Sequence, residues 1–257
     1  MTPGPGQWVV CMTTTPERLA SPFLLRVLDS ILGQQGGPSF QLLLSVPRVF
    51  ARTGEAYPDP GFLLDRYRDG RLHIHRCPDH GPATKFLGLR TWSGLSGAGL
   101  THVYIADDDV ILRPGVFQRV QARGRRPWWR PGGHAATTVW ANSVSRVGGL
   151  DVAEGFGGVL IPAGFFHRLF GQTRYHRLWD ALQGRDHPCF PVDDMLLSRL
   201  LHMHGYRVRS TGLDAFRQIM DRTATDTHPE WFELCKHGPP RDGANRACLC
   251  AELPLPD

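Results

Sequence analysis

The sequence lacks the features that mark membrane, secreted, repeat and multidomain proteins. No apolar run approaches the ~20 residues that cross a bilayer, and residues 1–6 have neither the basic region nor the apolar stretch of a signal peptide. No internal repeat, long low-complexity tract or dividing linker is present; the Pro/Gly-rich stretches at 33–38, 57–61 and 130–133 are short enough to be loops. We therefore expect a cytoplasmic protein whose 257 residues, 41% of them hydrophobic, form a single domain.

The six cysteines lack the spacing of a common zinc finger. Three are isolated, and a cytosolic location predicts that they are mostly free thiols: Cys11, Cys77 and Cys189. The other three cluster in the sequence: Cys235, Cys248 and Cys250. With His237, this cluster could form a small zinc site or contain a disulfide, and both alternatives stay open.

The sequence also lacks a strong charge imbalance. Its net charge of +5 and pI near 9.1 favour anionic ligands, including nucleotide sugars, phosphate headgroups and nucleic acid, without selecting one. The densest basic stretch, residues 123–130, contains two tryptophans but not the repeated stacking platform of a single-strand binder. We expect no nucleic acid partner; a solvated loop is favoured, and contact with an acceptor or a membrane surface is the alternative.

Three consecutive carboxylates, Asp107, Asp108 and Asp109, follow an apolar run at residues 102–106. Like charges at the end of a buried strand are unfavourable unless a cation or hydrogen-bond donors neutralise them. Oxygen ligands suit Mg²⁺ or Mn²⁺, and open α/β sheets bind ligands beyond the carboxyl ends of their strands. The triplet therefore predicts a metal-diphosphate site, and the alternative is an acidic surface turn.

The first half of the chain predicts alternating strands and helices. Apolar runs predict strands at residues 8–12, 40–45, 72–75 and 102–106. Helices are expected after the Ser21-Pro22 cap signal, at 61–67, and from about 84 to 95. This alternation predicts the α/β class, with a Rossmann-like, mainly parallel central sheet flanked by helices. Residues 7–113 would form its nucleotide-binding half.

The second half, residues 114–257, is predicted to bind a second substrate. A helix is expected after Pro114, followed by a strand-like segment at 135–140. Residues 155–162 begin with glycines, which keep the backbone bare for close approach, and continue as a strand. Asp193 and Asp194 begin a helix that Gly205 is well placed to end.

Five short motifs occur in a fixed order along residues 7–210. They are Thr13-Thr14-Thr15-Pro16-Glu17-Arg18, Gly81-Pro82-Ala83-Thr84-Lys85, Asp107-Asp108-Asp109, Gly155-Phe156-Gly157-Gly158 and Val192-Asp193-Asp194. By their order and spacing they resemble a glycosyltransferase of the GT-A fold. The similarity is greatest to a branch with GPATK and DDD motifs that includes algal-virus and microbial sugar transferases.

This resemblance implies a nucleotide-diphosphate sugar donor, often a UDP-sugar, and a divalent cation, Mn²⁺ or Mg²⁺. Asp109 would ligate the metal, and Asp107 or Asp108 would hold the ribose or a metal-bound water, which makes Asp107 a second candidate ligand. Many relatives take a further ligand from a histidine near the C-terminus. His228 and His237 both qualify, and His237 is preferred because its neighbours are polar and glycine-rich.

The remaining donor contacts are expected from two segments. The resemblance implies that the loop with Thr13, Thr15 and Arg18 lines the base and ribose. Lys85, near the start of a helix, could add positive charge beside the diphosphate. The alternative is that Lys85 is an ordinary solvent-facing helix residue.

Transfer to a glycan or small-molecule hydroxyl acceptor requires a base, because a hydroxyl is a poor nucleophile until a carboxylate takes its proton. In inverting relatives the second acid of a pair at the head of a helix is this base, so Asp194 is preferred to Asp193, which also fits a helix cap. Gly157 and Gly158 would let the sugar or acceptor lie against main chain, or they form a structural bulge.

Two other functions compete with a glycosyltransferase. A sugar-phosphate nucleotidyltransferase also holds a metal with carboxylates, but it usually begins with a glycine-rich basic loop, and residues 13–18 contain no glycine. A non-catalytic glycan- or nucleic-acid-binding protein would not need both acidic motifs. The sequence therefore favours a metal-dependent glycosyltransferase that moves a sugar from a nucleotide donor to a hydroxyl.

Overall fold

The computed structural model describes residues 7–96, 99–124, 138–183, 187–219 and 241–254. Their strands are β1 Gln7–Thr13, β2 Phe40–Ser45, β3 Leu72–His75, β4 Leu100–Ile105, β5 Val110–Leu112, β6 Thr138–Val147, β7 Leu150–Pro162, β8 Arg207–Ser210 and β9 Phe216–Ile219. Their α-helices are α1 Pro16–Leu19, α2 Pro22–Leu32, α3 Gly61–Arg66, α4 Thr84–Leu87, α5 Val116–Gly124, α6 Ala163–Phe170, α7 His176–Gln183, α8 Asp193–Met203 and α9 Arg241–Cys250.

Seven strands form one sheet in the order β3-β2-β1-β4-β7-β6-β8, and β5 pairs with β9 in a separate antiparallel ribbon. The strands β1 to β4 run parallel, as do β6 and β8. Only β7 is reversed against its neighbours in this sheet, since it pairs antiparallel with both β4 and β6. The α/β class with a mainly parallel central sheet is confirmed, and the β4–β7 pairing joins the two halves of the chain.

Helices cover both faces of the sheet. Alternate residues of a strand point to opposite faces, and in β1 the residues on each face are buried under a different set of helices. In β1, Val9 and Cys11 belong to one buried cluster, with α4, α6, α7, α8 and α9. Trp8, Val10 and Met12 belong to the other, with α2 and α5. A strand that is apolar at successive positions is therefore the signature of burial on both faces.

Two predicted helix boundaries are confirmed in detail. The Ser21 hydroxyl accepts a hydrogen bond from the Leu24 N–H (3.2 Å) at the start of α2. At the end of α8, Gly205 has φ +75°, its N–H donates to His202, and the N–H of the next residue donates to Leu201. These paired bonds form a Schellman motif, in which glycine adopts the left-handed backbone at little cost.

The predicted helix from about 84 to 95 is wrong in length and type. The α-helix ends at Leu87, and two 3₁₀ segments follow, at Gly88–Thr91 and Ser93–Ser96. Glycines at positions 88 and 94 weaken a helix here. A Cβ on Gly88 would also lie 2.1 Å from Ser45 Oγ, so this backbone packs directly on the end of β2.

The expectation that Cys189 is a free thiol is wrong. Cys189 forms a disulfide with Cys248, and both residues are fully buried. The pairing depends on α9 packing against α8, which spacing in the sequence does not show, and it removes Cys248 from any zinc site. Disulfides are rare in the cytosol, so this bond weighs against the cytoplasmic expectation.

The other predictions on cysteines and loops have mixed outcomes. Cys11 and Cys77 are buried free thiols, and Cys250 is an exposed one. Cys235, His228, His237 and residues 125–130 of the basic stretch lie outside the described residues. The structure contains no helix, among those it describes, with the length and apolarity to cross a membrane.

Candidate active site

The acidic triplet lies where the sequence predicts, directly after β4 and beside the loop that follows β1. Parallel pairing of Cys11 with Ile105 brings these strand ends together, and the Ala106 N–H donates to the Cys11 carbonyl (2.9 Å). Thr15 caps the short helix α1, which carries Arg18 towards the triplet. The carboxyl ends of two adjacent parallel strands therefore form the floor of the site.

Asp108 is bound on both carboxylate oxygens by this loop. Thr14 Oγ1 donates to one oxygen (2.7 Å), and an Arg18 guanidinium N–H donates to the other (2.5 Å). Burial raises the pKa of Asp108 and Arg18 opposes that rise, whereas Asp108 in turn raises the pKa of Arg18. Arg18 also lies 3.5 Å from Asp109, so one guanidinium spans two acids. Asp108 thus anchors the loop to the triplet.

Lys85 is buried between the two acidic motifs. Its Nζ lies 2.6 Å from Asp107 Oδ1 and 2.5 Å from Asp193 Oδ2, and its side chain is 7% exposed. Burial alone would lower the pKa of Lys85, but these carboxylates raise it well above its usual value. The alternative of a solvent-facing lysine is therefore wrong, and one ammonium ion joins motifs that are 86 residues apart.

The loop before Lys85 is held by Asp79, a residue outside the five sequence motifs. Asp79 accepts hydrogen bonds from the Gly81 N–H (2.8 Å) and the Thr84 hydroxyl (3.1 Å), and its other oxygen accepts from the Ala51 N–H (2.7 Å). Gly81 has φ +65°, and a Cβ there would lie 2.8 Å from the Phe190 carbonyl oxygen. The glycine thus permits the loop to pack against the residues that precede Asp193.

The glycine segment, residues 155–158, is an excursion from the sheet. Between the pairs Ala141–Val159 and Ser143–Glu154, the single residue Asn142 of β6 faces these four residues of β7. Because β7 is antiparallel to β4 and Val159 pairs with Ile105, the segment lies beyond the end of β4, beside the triplet.

Close approach explains the glycines in this segment. A Cβ on Gly155 would lie 2.9 Å from Lys85 Nζ and 3.1 Å from both carboxylate oxygens of Asp107. Gly158 has φ +101°, and a Cβ there would meet the Tyr104 hydroxyl at 1.9 Å. That hydroxyl donates to the Gly157 carbonyl (2.8 Å), so Tyr104 of β4 holds the glycine segment in place.

Asp194 faces the same cluster from the start of α8. Its carboxylate accepts a hydrogen bond from the Gly155 N–H (2.9 Å). Burial, and then the adjacent Asp193, raise the pKa of Asp194 to about 8, although Lys85 opposes this rise. A carboxylate with such a proton affinity, held at a helix start, is suited to exchanging a proton near neutral pH.

The acid cluster, Asp107 to Asp109 with Asp193 and Asp194, contains five carboxyls, against which Arg18 and Lys85 supply two positive charges. In the described ranges, no three His, Cys, Asp or Glu side chains are grouped to hold a metal. A site with one or two carboxylates suits Mg²⁺ or Mn²⁺ when substrate phosphates complete the coordination. The carboxylate oxygens of the cluster are therefore ligands of the type that Mg²⁺ or Mn²⁺ prefers.

The predicted site residues that the structure describes, which exclude His237, divide into two groups. Arg18, Lys85, the triplet, the acid pair and the glycine segment come together. The Thr13 hydroxyl instead donates to the Ser45 carbonyl (2.8 Å), which links the carboxyl ends of β1 and β2, and Thr15 caps α1. Tyr57 was missed; its hydroxyl donates to the Thr14 carbonyl (2.9 Å), and no local motif marks it.

No protein-family model and no curated protein matches the chain. Similar solved structures include the galactosyltransferase LgtC in complex with donor and acceptor sugar analogues, at 12% identity, TM-score 0.47, and coverage of 97% of this chain and 84% of that chain. They also include 4-diphosphocytidyl-2C-methyl-D-erythritol synthase from Anaerococcus prevotii, at 9% identity, TM-score 0.43, and coverage of 88% and 95%. A homologue of Mycobacterium tuberculosis rv0371c from Mycobacterium sp. strain JC1 is 14% identical, with TM-score 0.38 and coverage of 90% and 95%. At these low values the similarities assign neither a family nor an activity to the chain.

Proposed function

We propose that the chain is a divalent-metal-dependent glycosyltransferase of the GT-A type. It would transfer a sugar from a nucleotide-diphosphate donor, with a UDP-sugar as the first candidate, to a hydroxyl of a glycan or small acceptor. The observation that carries the proposal is the meeting of the acidic triplet and the Asp193-Asp194 pair around buried Lys85, at the carboxyl end of the sheet.

In the proposed site, Asp107 and Asp109 would hold the cation, and His237 stays a candidate ligand. The bound cation would supply positive charge to the diphosphate as the glycosidic bond breaks. Arg18, which is 26% exposed on its side chain, keeps part of its surface towards solvent and adds positive charge beside the triplet. Thr13 and Thr15 shape the backbone of the loop that would meet the nucleoside.

Asp194 is proposed to take the proton of the acceptor hydroxyl. Its raised pKa gives it the proton affinity that a general base needs, and the Gly155 N–H fixes its orientation. Asp193 has a different role, because its contact with Lys85 connects the acid pair to Asp107. Gly157 and Gly158 would leave room for the sugar ring or acceptor beside bare main chain.

Two binding and transfer assays test this function. Calorimetry with UDP should show binding that requires Mn²⁺ or Mg²⁺ and is lost with Asp109→Asn. Asp194→Asn should keep this binding within about twofold and lose at least about 10²-fold in transfer from the accepted UDP-sugar, as expected for loss of a general base. Asp29→Asn, at an exposed ion pair with Arg66, is the matched control and should change neither.

The outcomes separate the proposed function from nucleic acid binding, and the role of Asp194 from the function as a whole. Binding of an oligonucleotide that weakens with salt, without metal-dependent binding of UDP, would favour a nucleic acid binder and contradict the proposal. Full transfer by the Asp194→Asn variant would contradict only the assignment of the base.

A further inference from the structure

The acid pair is preceded by a turn that the described residues hold from several sides. The Cys189 N–H contacts His187 Nδ1 (3.1 Å), and the Val192 N–H donates to the Cys189 carbonyl (3.2 Å). Val192 in turn accepts a hydrogen bond from Leu196 in the first turn of α8 (3.1 Å). The position of Asp193 and Asp194 therefore depends on the turn formed by residues 189–192.

One side of this turn packs against the loop that carries Lys85. Both the carbonyl and the ring of Phe190 lie so close to Gly81 that a Cβ on that glycine would be 2.8 Å from the oxygen and 3.1 Å from the ring. Further along the chain, Asp193 contacts Lys85 itself (2.5 Å). The turn thus connects the acid pair with the loop of residues 79–85, which belongs to the proposed donor half, residues 7–113.

The other side of the turn is joined covalently to α9. Cys189 is bonded to Cys248, 59 residues later in the chain. Arg199 of α8 donates hydrogen bonds to the carbonyls of Cys248 and Ala251, which fastens the end of α9 onto α8. Helix α9 therefore acts as an external support for the turn and for the helix that begins with the acid pair.

We propose that Cys189 and Cys248 are positioning residues, whose disulfide holds the 189–192 turn so that Asp193 and Asp194 keep their places opposite Lys85. Reduction by a dithiol breaks the S–S bond, gives two thiols on the chain and leaves the dithiol as a disulfide. It releases the turn while the sheet, the triplet and the donor half stay folded. The effect on transfer rests on the proposed function, but the effect on the turn does not.

Hydrogen exchange with peptide-resolved mass spectrometry tests the structural part of the proposal. The oxidised protein is compared with protein reduced by dithiothreitol and with a Cys189→Ala/Cys248→Ala variant, which serves even if the buried bond resists the reagent. Amides of residues 189–203 should exchange at least about tenfold faster without the bond, and those of residues 7–45 should change less than about twofold. Cys250→Ser is the matched control, because this exposed thiol is outside the bond.

Kinetics test the positioning part. Without the bond, Mn²⁺-dependent UDP binding should stay within about twofold, whereas kcat of transfer should fall about tenfold or more, because only the acid pair is displaced. Oxidised glutathione should restore both the exchange pattern and kcat, since it accepts the two thiol hydrogens and re-forms the bond.

Two results would overturn the inference. One is unchanged exchange in residues 189–203 after mass spectrometry has shown that the bond is absent. The other is an equal loss of protection in residues 7–45, which would mean that the disulfide supports the whole fold. If oxidised protein fails to bind UDP with Mn²⁺, the proposed function fails, and the exchange data still decide the role of the disulfide.

Discussion

Replacing Lys85 with methionine should destabilise the protein far more than removal of an exposed cation. Lys85 is 7% exposed on its side chain, and its partners Asp107 and Asp193 are 26% and 13% exposed. Methionine fills most of the same volume, so the change removes the charge and leaves little cavity. The acids would then repel one another in a site shielded from water.

The expected cost follows from the geometry of this pair. Removing one partner of a buried ion pair costs about 3–5 kcal/mol, because the remaining charge is buried without compensation. Arg66→Met is the matched control: Arg66 and Asp29 are 3.1 Å apart, but both side chains are 49% exposed, and such pairs contribute about 0–1 kcal/mol. The two variants should therefore differ by at least about 2 kcal/mol.

The assay is urea unfolding in the presence of EDTA at about pH 8. Because the pKa of Lys85 is raised in the folded state, its contribution is fully present below the unfolded lysine value of about 10.4 and is lost only above it. In a double-mutant cycle, Asp193→Asn should cost less in the Lys85→Met background than in the wild-type background. A cost within about 0.5 kcal/mol of the Arg66→Met control would refute the reasoning.

Two further predictions concern the acid pair and the glycine segment. Because the pKa of Asp194 rises from about 4 unfolded to about 8 folded, the contribution of this group to wild-type stability should be greatest below about pH 4 and decline through about pH 8. Asp194→Asn, in metal-free protein, should therefore gain about 2–5 kcal/mol relative to wild type over that range, and a difference that is constant with pH would contradict this. Gly158→Ala should cost about 2–4 kcal/mol by urea unfolding, since its Cβ meets the Tyr104 hydroxyl and two carbons of its ring, and the added cost should be smaller in a Tyr104→Leu background, which lacks the ring. Gly149→Ala, at φ +86° with open space around it, should cost about 1 kcal/mol, and equal costs for the two alanines would contradict the clash.

Local patterns in the sequence predicted much of the parallel half of the sheet. Continuous apolar runs identified β1, β2 and β4, because strands buried on both faces carry few polar residues. Ser21 and Gly205 marked helix ends through hydrogen bonds that span only a few residues. Such signals are readable because the interacting groups are close in the chain.

The features that the sequence does not predict depend on tertiary packing. The Cys189–Cys248 bond depends on α9 lying against α8, and the burial of Lys85 depends on Asp193 arriving from another part of the chain. The reversal of β7 was not predicted either, because an apolar strand reads the same in both directions. Both acidic motifs are recognisable in the sequence as candidate site residues. Only the fold shows that Lys85 lies between them and contacts both.

The glycine segment has a consequence for how this architecture can change. Residues 155–158 are bounded by paired residues, Glu154 opposite Ser143 and Val159 opposite Ala141, so each flank is fixed independently of the length between them. The segment itself is held as well, because the Gly155 N–H donates to Asp194 and the Gly157 carbonyl accepts from the Tyr104 hydroxyl. An insertion or deletion there would disturb these bonds, while the flanking pairs keep the register of β7 against its neighbours. A change of length in this short stretch would therefore move the Asp194 carboxylate before it altered the pairing of the sheet.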